Sequence, residues 1–284
     1  MLTPTLIADA VKRGLAEDLP WGDATVATSI AATQQVRAKL VARQPGVFAG
    51  STVLTETFRQ VDATIQIDDL MPDGTTFSSG DVLANLYGPA AGMLSAERVA
   101  LNFAQHLSGI ATLTSQFVAQ VQTVDAKTQI TDTRKTTPGL RALEKHAVVA
   151  GGGVNHRFSL SDAIMLKDNH LAALEATDGT ALTNVIRQVK AQIGHTMPII
   201  VEVDRLEQIE FVIAGQVTGI LLDNFTIDDL RTGVEHVAGR CVVEASGGVE
   251  LDTVADIAAT GVDIISIGAI TQSAAALDIG LDAD

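Results

Sequence analysis

A chain of 284 residues with 46% hydrophobic and 19% charged residues excludes disorder and suits one large domain or two modest ones. Its formal net charge of −15 repels nucleic acid and anionic membranes, so neither is expected as a partner, and any local basic cluster becomes informative. Only 4% of residues are aromatic, which leaves Ala, Val, Leu and Ile to fill the core, as where helices pack on a parallel sheet.

Residues 4–17 read as an amphipathic helix, with Leu6, Ile7, Ala10, Val11 and Leu15 near helical spacing. The same segment carries Asp9, Lys12 and Arg13, so no signal peptide is expected, and no apolar run is long enough to predict a membrane span. A turn-rich stretch, Asp18 to Asp23, follows. Residues 35–43 alternate as a strand, and 61–68 alternate again. Turns centred on Asp73-Gly74 and Ser79-Gly80 flank Val82–Leu86, and this first third reads as an α+β module. Residues 91–122 form a long helical stretch, expected to break at Gly109, that carries Glu97, Arg98 and Asn102.

After about residue 127 short apolar runs alternate with helical stretches. The runs are Gln129–Thr133, Ala163–Leu166, Ile199–Val203, Gly219–Leu222, Cys241–Glu244 and Ile264–Ile267. Helices are predicted at about 138–150, 182–193, 205–214, 226–237 and 249–259. Such alternation predicts a parallel sheet with right-handed crossovers, open or closed into a barrel. Cys241 is the sole cysteine, which rules out an intrachain disulfide and fits a reducing, cytoplasmic setting; within its apolar run it reads as an inert buried thiol.

In folds of this kind the chemistry sits at the C-terminal strand ends. Arg134 and Lys135 follow the first run, and Lys167 and then His170 the second. The third ends in Glu202 and Asp204, and the fourth is followed by Asp223 and Asn224. The fifth ends in Glu244 before Ser246-Gly247-Gly248, and the sixth leads to Gly268. One such residue could be a solvated loop; six in a row imply a built rim. Between Arg134 and His170 there are six Lys or Arg against three acids, inside an acidic chain. Arg141, Glu144 and Lys145 fall on a helix and read as a solvated face. Arg134, Lys135, His156, Arg157 and Lys167 lie near strand ends or the Gly151-Gly152-Gly153 turn. Arginine forks and mobile lysines suit carboxylates and phosphates, although a structural ion-pair network would also cluster charge. The two glycine loops could admit a phosphate to backbone N–H groups, or serve only as tight turns. Glu202 and Asp223 suit Mg²⁺, ribose hydroxyls or a cationic transition state; ordinary helix capping by Asp223 or Asp204 is the alternative. No Cys or His set has zinc spacing, and no G-x-S-x-G motif is present.

Read together, these segments resemble the quinolinate phosphoribosyltransferase family. The specific matches are Thr133-Arg134-Lys135-Thr136-Thr137-Pro138-Gly139-Leu140-Arg141, His156-Arg157 and Lys167-Asp168-Asn169-His170; Glu97–Asn102, Val201–Val203, Leu222–Asn224 and Glu244–Gly248 extend them over nearly the whole chain. The resemblance implies an α/β fold: an N-terminal α/β sandwich over 1–112, an open α/β barrel with parallel strands over 113–270, and a tail, 271–284, that packs back on the first domain. It implies a homodimer in which Arg98 comes from the neighbouring copy. It assigns Arg134, His156, Arg157 and Lys167, with that Arg98, to the two quinolinate carboxylates. Lys135 falls near the pyrophosphate, Glu202 and Asp223 face the ribose and Mg²⁺, and Ser246, Gly247, Gly248 and Gly268 cradle the 5-phosphate of phosphoribosyl pyrophosphate. The implied reaction yields nicotinate mononucleotide in NAD biosynthesis. Phe158-Ser159 departs from the family's usual glycine after His-Arg, and Thr25-Val26 from its usual Thr pair. Rival readings are a molybdenum-transport-associated relative, nicotinate phosphoribosyltransferase, a Schiff-base aldolase using Lys135 or Lys167, and a non-catalytic anion binder.

Overall fold

The structure, a computed structural model, describes residues 2–125 and 127–283. In chain order, α1 (Pro4–Asp18), α2 (Ala24–Ser29), β1 (Gln35–Ala42), β2 (Gly46–Val47), α3 (Ser51–Val61), β3 (Gln66–Asp68), β4 (Thr76–Phe77) and β5 (Val82–Pro89) lead into the long helix α4 (Ala90–Gln122). Next come β6 (Gln129–Thr131), α5 (Arg141–Ala150), β7 (Ile164–Leu166), α6 (Asp168–Ala173), α7 (Gly179–Gln192) and β8 (Ile199–Val203). A short turn of 3-10 helix runs into α8 (Ile209–Ala214), followed by β9 (Gly219–Asp223), α9 (Ile227–Val237), β10 (Val242–Ser246), α10 (Val254–Ala258), β11 (Ile264–Ser266), α11 (Ala269–Gln272) and β12 (Ile279–Ala283). No helix among the described residues is long and apolar enough to cross a membrane.

Two compact units share these elements. The first is Met1–Ser115, Lys135–Gly152 and Ala269–Asp284; the second is Gln116–Arg134 and Gly153–Gly268. Thus α5 and the run leading to it count with the first unit, although in sequence they fall between β6 and β7 of the second.

The second unit is built on a six-stranded sheet ordered β6-β11-β10-β9-β8-β7, parallel throughout. Among the described residues β6 and β7 do not pair with each other, and β6 gains only a parallel bridge from Thr131 to Val154, so the sheet is an open barrel wall. Val201, Val203, Ile220, Leu222, Val243, Ala245 and Ile265 are buried. Side chains alternate along a strand, so these residues share one face and the residues between them the other. Helices pack against a parallel sheet through such β-branched and aliphatic surfaces, each fully buried Leu, Ile or Val contributing about 1.5–3 kcal/mol.

The first unit holds a four-stranded sheet, β12-β1-β5-β3, whose neighbours are all antiparallel. Ala38, Leu40 and Ala42 of β1 alternate inward against Leu83, Ala84 and Leu86 of β5 and against Leu54, Phe58, Met93, Ala96 and Ala100 from α3 and α4. The tail supplies β12, which runs antiparallel to β1 from Ala38↔Ala283 to Ala42↔Ile279.

Several expectations change here. The stretch 61–68 is not one strand: Val61 ends α3, and only Gln66–Asp68 are extended. The helix wins because Val53, Leu54, Thr57 and Phe58 bury one helical face. Helix α4 does not break at Gly109. A Cβ there would lie 2.1 Å from the Ala275 carbonyl oxygen, so the glycine admits the returning tail to the helix surface. Glu144 and Lys145 are not solvated; they are 0% and 1% exposed. Glu144 Oε1 meets His106 Nε2 at 2.9 Å, and its Oε2 accepts the Thr137 N–H at 3.1 Å, which ties the segment after Lys135 to α4 and α5. Cys241 is half-buried, and burial pushes its thiol up, away from the reactive thiolate.

Asp73 caps α3 from a neighbouring turn: its Oδ1 accepts the Gly50 and Ser51 N–H groups at 3.0 and 2.9 Å, and its Oδ2 meets His146 Nε2 at 2.7 Å. Burial, the largest influence, pushes its carboxyl up, but the bonds from His146 and Ser51 outweigh it and hold the group below the usual carboxylate range. A depressed folded-state pKa gives stability that is complete above the unfolded value, about 3.9, and is lost as the pH falls through the folded value. Asp73→Ala should therefore cost about 1–2 kcal/mol in urea unfolding at neutral pH. The gap from the native chain should narrow below about pH 4; a gap that stays constant into acid contradicts this role. Gly109→Ala should cost about 1–3 kcal/mol in the same measurement, because the Ala275 carbonyl must be displaced.

Candidate active site

Strand register assembles the polar residues of the second unit. Thr131, Ser266, Ser246 and Asp223 pair in sequence across β6, β11, β10 and β9, forming one row at the C-terminal strand ends. Two residues earlier, Leu221 pairs with both Glu202 and Glu244. Because side chains repeat every second residue, Glu202, Asp223, Glu244, Ser246 and Ser266 all face the same side of the sheet, opposite the apolar face described above.

Lys167 follows β7 directly, and the pairing of Leu166 with Val201 brings it opposite Glu202. Its Nζ is ion-paired with Glu202 Oε2. The Lys167 N–H donates to His170 Nδ1 at 3.2 Å, so the histidine just beyond the strand helps to start α6. Both Lys167 and Glu202 keep part of their surface in solvent.

His156 and Arg157 lie in the loop after Val154. Asp132, fully buried beyond β6, accepts the His156 N–H at 2.9 Å. Arg157 Nη1 donates to the Ala163 carbonyl at 3.0 Å, which holds the guanidinium beside β7. Burial lowers the affinity of Arg157 for its proton, the like charge of Arg134 lowers it further, and Asp162 partly restores it. Arginine stays charged regardless, so Arg134 and Arg157 are two mutually repelling cations, an arrangement that an anion relieves. The Phe158-Ser159 turn is closed by Asp162, whose Oδ2 accepts both N–H groups at 2.6 and 3.0 Å.

Neither Asp223 nor Asp204 is the N-cap of the helix that follows it: Arg205 precedes the 3-10 turn and Thr226 precedes α9. Gln208 Oε1 accepts the Asp204 and Arg205 N–H groups, and α9 is capped by Thr226. Glu202, Asp204, Asp223, Asn224, Asp168 and Arg205 help to line a cavity of about 470 Å³. Its acid-rich wall suits hydroxyl donors or a cation, whereas the arginines suit anions. Among the described residues no group of three or more His, Cys, Asp or Glu is arranged to hold a metal by itself.

Asn224 adopts φ 57°, in the left-handed region; its Nδ2 donates to Asp223 Oδ2 at 2.8 Å and its N–H to the Ser246 carbonyl at 2.8 Å. The loop after β9 is thereby sewn to the loop after β10. Gly247 has φ 98°, and a Cβ there would lie 2.2 Å from Asn224 Oδ1, so no other residue fits. Gly248 has φ 58° with nothing within 4 Å of a Cβ, leaving open space in front of it. The helix expected from 249 begins only at Val254, so this loop offers backbone N–H groups and not a helix dipole.

Lys135 and Arg98 belong to the first unit. Lys135 is exposed, and its carbonyl accepts the Thr271 hydroxyl at 2.7 Å; Arg98 is exposed on α4. Gly268 is half-buried two residues after the end of β11. Sequence reasoning missed Asp132, because it lies inside a run read as strand. It also passed over Asn224 and Glu244, which were visible beside Asp223 and Ser246 but carried no assigned role.

The profile of the quinolinate phosphoribosyl transferase N-terminal domain matches residues 23–108, and that of the C-terminal domain matches 110–282. A probable nicotinate-nucleotide pyrophosphorylase (carboxylating) of Bacillus subtilis is 42% identical over 94% of this chain and 89% of its own length. The nicotinate-nucleotide pyrophosphorylase (carboxylating) of Mycobacterium leprae is 41% identical over 96% of each. The crystal structure of NadC from Streptococcus pyogenes is similar with a TM-score of 0.93 at 38% identity, over 100% of this chain and 99% of that one. Matched in order by both domain profiles, and along nearly its whole length by these relatives, the chain belongs to the quinolinate phosphoribosyl transferase family.

Proposed function

We propose that this chain transfers the phosphoribosyl group of phosphoribosyl pyrophosphate to quinolinate with decarboxylation, giving nicotinate mononucleotide, CO₂ and pyrophosphate. The observation that carries this reading is the juxtaposition, at one end of one sheet, of two repelling arginines and a lysine with a glycine loop and an acid-lined cavity. Anionic groups of two kinds and a sugar between them match that division of charge.

In this reading Arg134, Arg157 and Lys167 hold the two carboxylates of quinolinate, with His156 among them and Arg98 contributed by a second copy of the chain. The ring nitrogen then attacks C1 of the ribose. The bond from C1 to the pyrophosphate oxygen breaks, and its electron pair leaves with pyrophosphate. Positive charge develops on the ribose ring, where Glu202 and Asp223 would stabilise it. Lys135, adjacent in sequence to Arg134, would neutralise the departing pyrophosphate. Ser246, Gly247, Gly248 and Gly268 would receive the 5-phosphate. Loss of the 2-carboxylate leaves an electron pair on the ring carbon, stabilised by the adjacent pyridinium nitrogen, before a proton replaces it.

Glu202 and Asp223, on neighbouring strands, would be the residues to hold a Mg²⁺, two carboxylates being enough for an ion that does not need an all-protein cage. When bound, Mg²⁺ supplies charge neutralisation for the pyrophosphate leaving group.

A steady-state assay with phosphoribosyl pyrophosphate and Mg²⁺ should yield nicotinate mononucleotide from quinolinate and little or none from nicotinate. Product from nicotinate alone, or from neither, contradicts the reading. Arg157→Ala should lower kcat/KM for quinolinate by about 10- to 100-fold, the loss expected for one charge-assisted contact. Gly247→Ala should raise the KM for phosphoribosyl pyrophosphate by about tenfold or more, since the Cβ displaces Asn224 and with it the loop.

A further inference from the structure

Both ring nitrogens of His156 face groups of the chain itself. The Arg157 N–H donates to His156 Nδ1 at 2.7 Å. A ring nitrogen that accepts a hydrogen bond carries no proton, so the proton of the ring lies on Nε2. That nitrogen faces Glu244 Oε2 at 3.3 Å. Glu244 is 6% exposed, and its second oxygen, Oε1, is fully buried with no hydrogen-bond partner among the described residues. Burying a carboxylate with so little compensation is costly. An apolar residue would serve the sheet better at this position, which lies between Leu221 and Ile264 of the flanking strands.

We propose that Glu244 is a positioning residue that fixes His156 as the neutral tautomer protonated at Nε2. With Glu244 at one end of the ring and the Arg157 N–H at the other, the plane of the imidazole is set. Asp132 holds the backbone of the same residue. The ring in turn anchors the start of Arg157, whose guanidinium is fixed at its far end by the Ala163 carbonyl. His156 thus contributes direction and not charge, and the positive charge offered to an anion comes from Arg134, Arg157 and Lys167.

The tautomer can be read without turnover; only the substrate used in the second arm rests on the function proposed above. In the full chain labelled with ¹⁵N-histidine, long-range ¹H–¹⁵N correlation at neutral pH should show His156 with Nδ1 unprotonated and Nε2 protonated. Glu244→Gln, which keeps an acceptor, should preserve this pattern and leave the KM for quinolinate within about threefold. Glu244→Met keeps the volume and removes the acceptor; it should give a mixture of tautomers and raise that KM about tenfold, with a smaller change in kcat. A native ring protonated at Nδ1, or at both nitrogens, overturns the proposal. So does a Glu244→Met chain with an unaltered tautomer. Absence of quinolinate turnover in the native chain would refute the proposed function, and the tautomer measurement would still decide the role of Glu244.

Discussion

The register of the six-stranded parallel sheet is the constraint on which everything else at this site depends. A slip of one residue in β9 or β10 would turn Asp223 or Ser246 towards the helices and bring Leu222 or Ala245 into the polar face. The apolar residues 201, 203, 220, 222, 243, 245 and 265 forbid it, because their burial is what binds the sheet to its covering layer. The polar row is therefore a by-product of the core: hydrophobic burial on one face specifies which carboxylates and hydroxyls gather on the other.

Electrostatics complete what register begins. In a chain of net charge −15, cations gather at these strand ends, and Lys167 and Arg157 each have a defined partner. Lys167 is met by Glu202, and Arg157 is tied to a carbonyl, an acceptor without charge. Arg157 consequently stays under the influence of Arg134, an unfavourable pairing in the free protein that a bound anion would relieve. The acids fall on the neighbouring strands, where the cavity beside Asp223 and Asp204 opens. Cationic and acidic groups thus come from neighbouring strands of one rim.

Much of this was legible in the sequence, for identifiable reasons. The runs at 199–203 and 219–222 are short, apolar and bounded by turns, so β8 and β9 begin where the sequence suggests, and the residues that end them are the ones at the rim. Motifs such as His156-Arg157 and Lys167–His170 are contiguous, and their family resemblance could be recognised before any geometry. What resisted reading was the long-range part. Gly109 looks like a helix break until the tail, more than 160 residues on, is found against it. Glu144 and Lys145 have the spacing of a solvated face, and the contacts of Glu144 with His106 and the Thr137 N–H, which account for its burial, cannot be read from that spacing. Asp132 sits inside one run and Glu244 ends another, and a lone acid there says nothing of its partner; His156 lies 24 residues from the first. The pairing of Lys167 with Glu202 likewise spans 35 residues and follows from strand order, which composition does not encode.

The central claim is that the arginines and Lys167 at the strand ends form a receptor for a dicarboxylate. A crystal structure of the chain with quinolinate bound tests it most directly. The account predicts both carboxylates within hydrogen-bond distance of Arg134, Arg157 or Lys167, with the ring nitrogen directed towards the cavity lined by Glu202 and Asp223. Quinolinate bound elsewhere, or held by one carboxylate with these three side chains still engaged only with the protein, would contradict it.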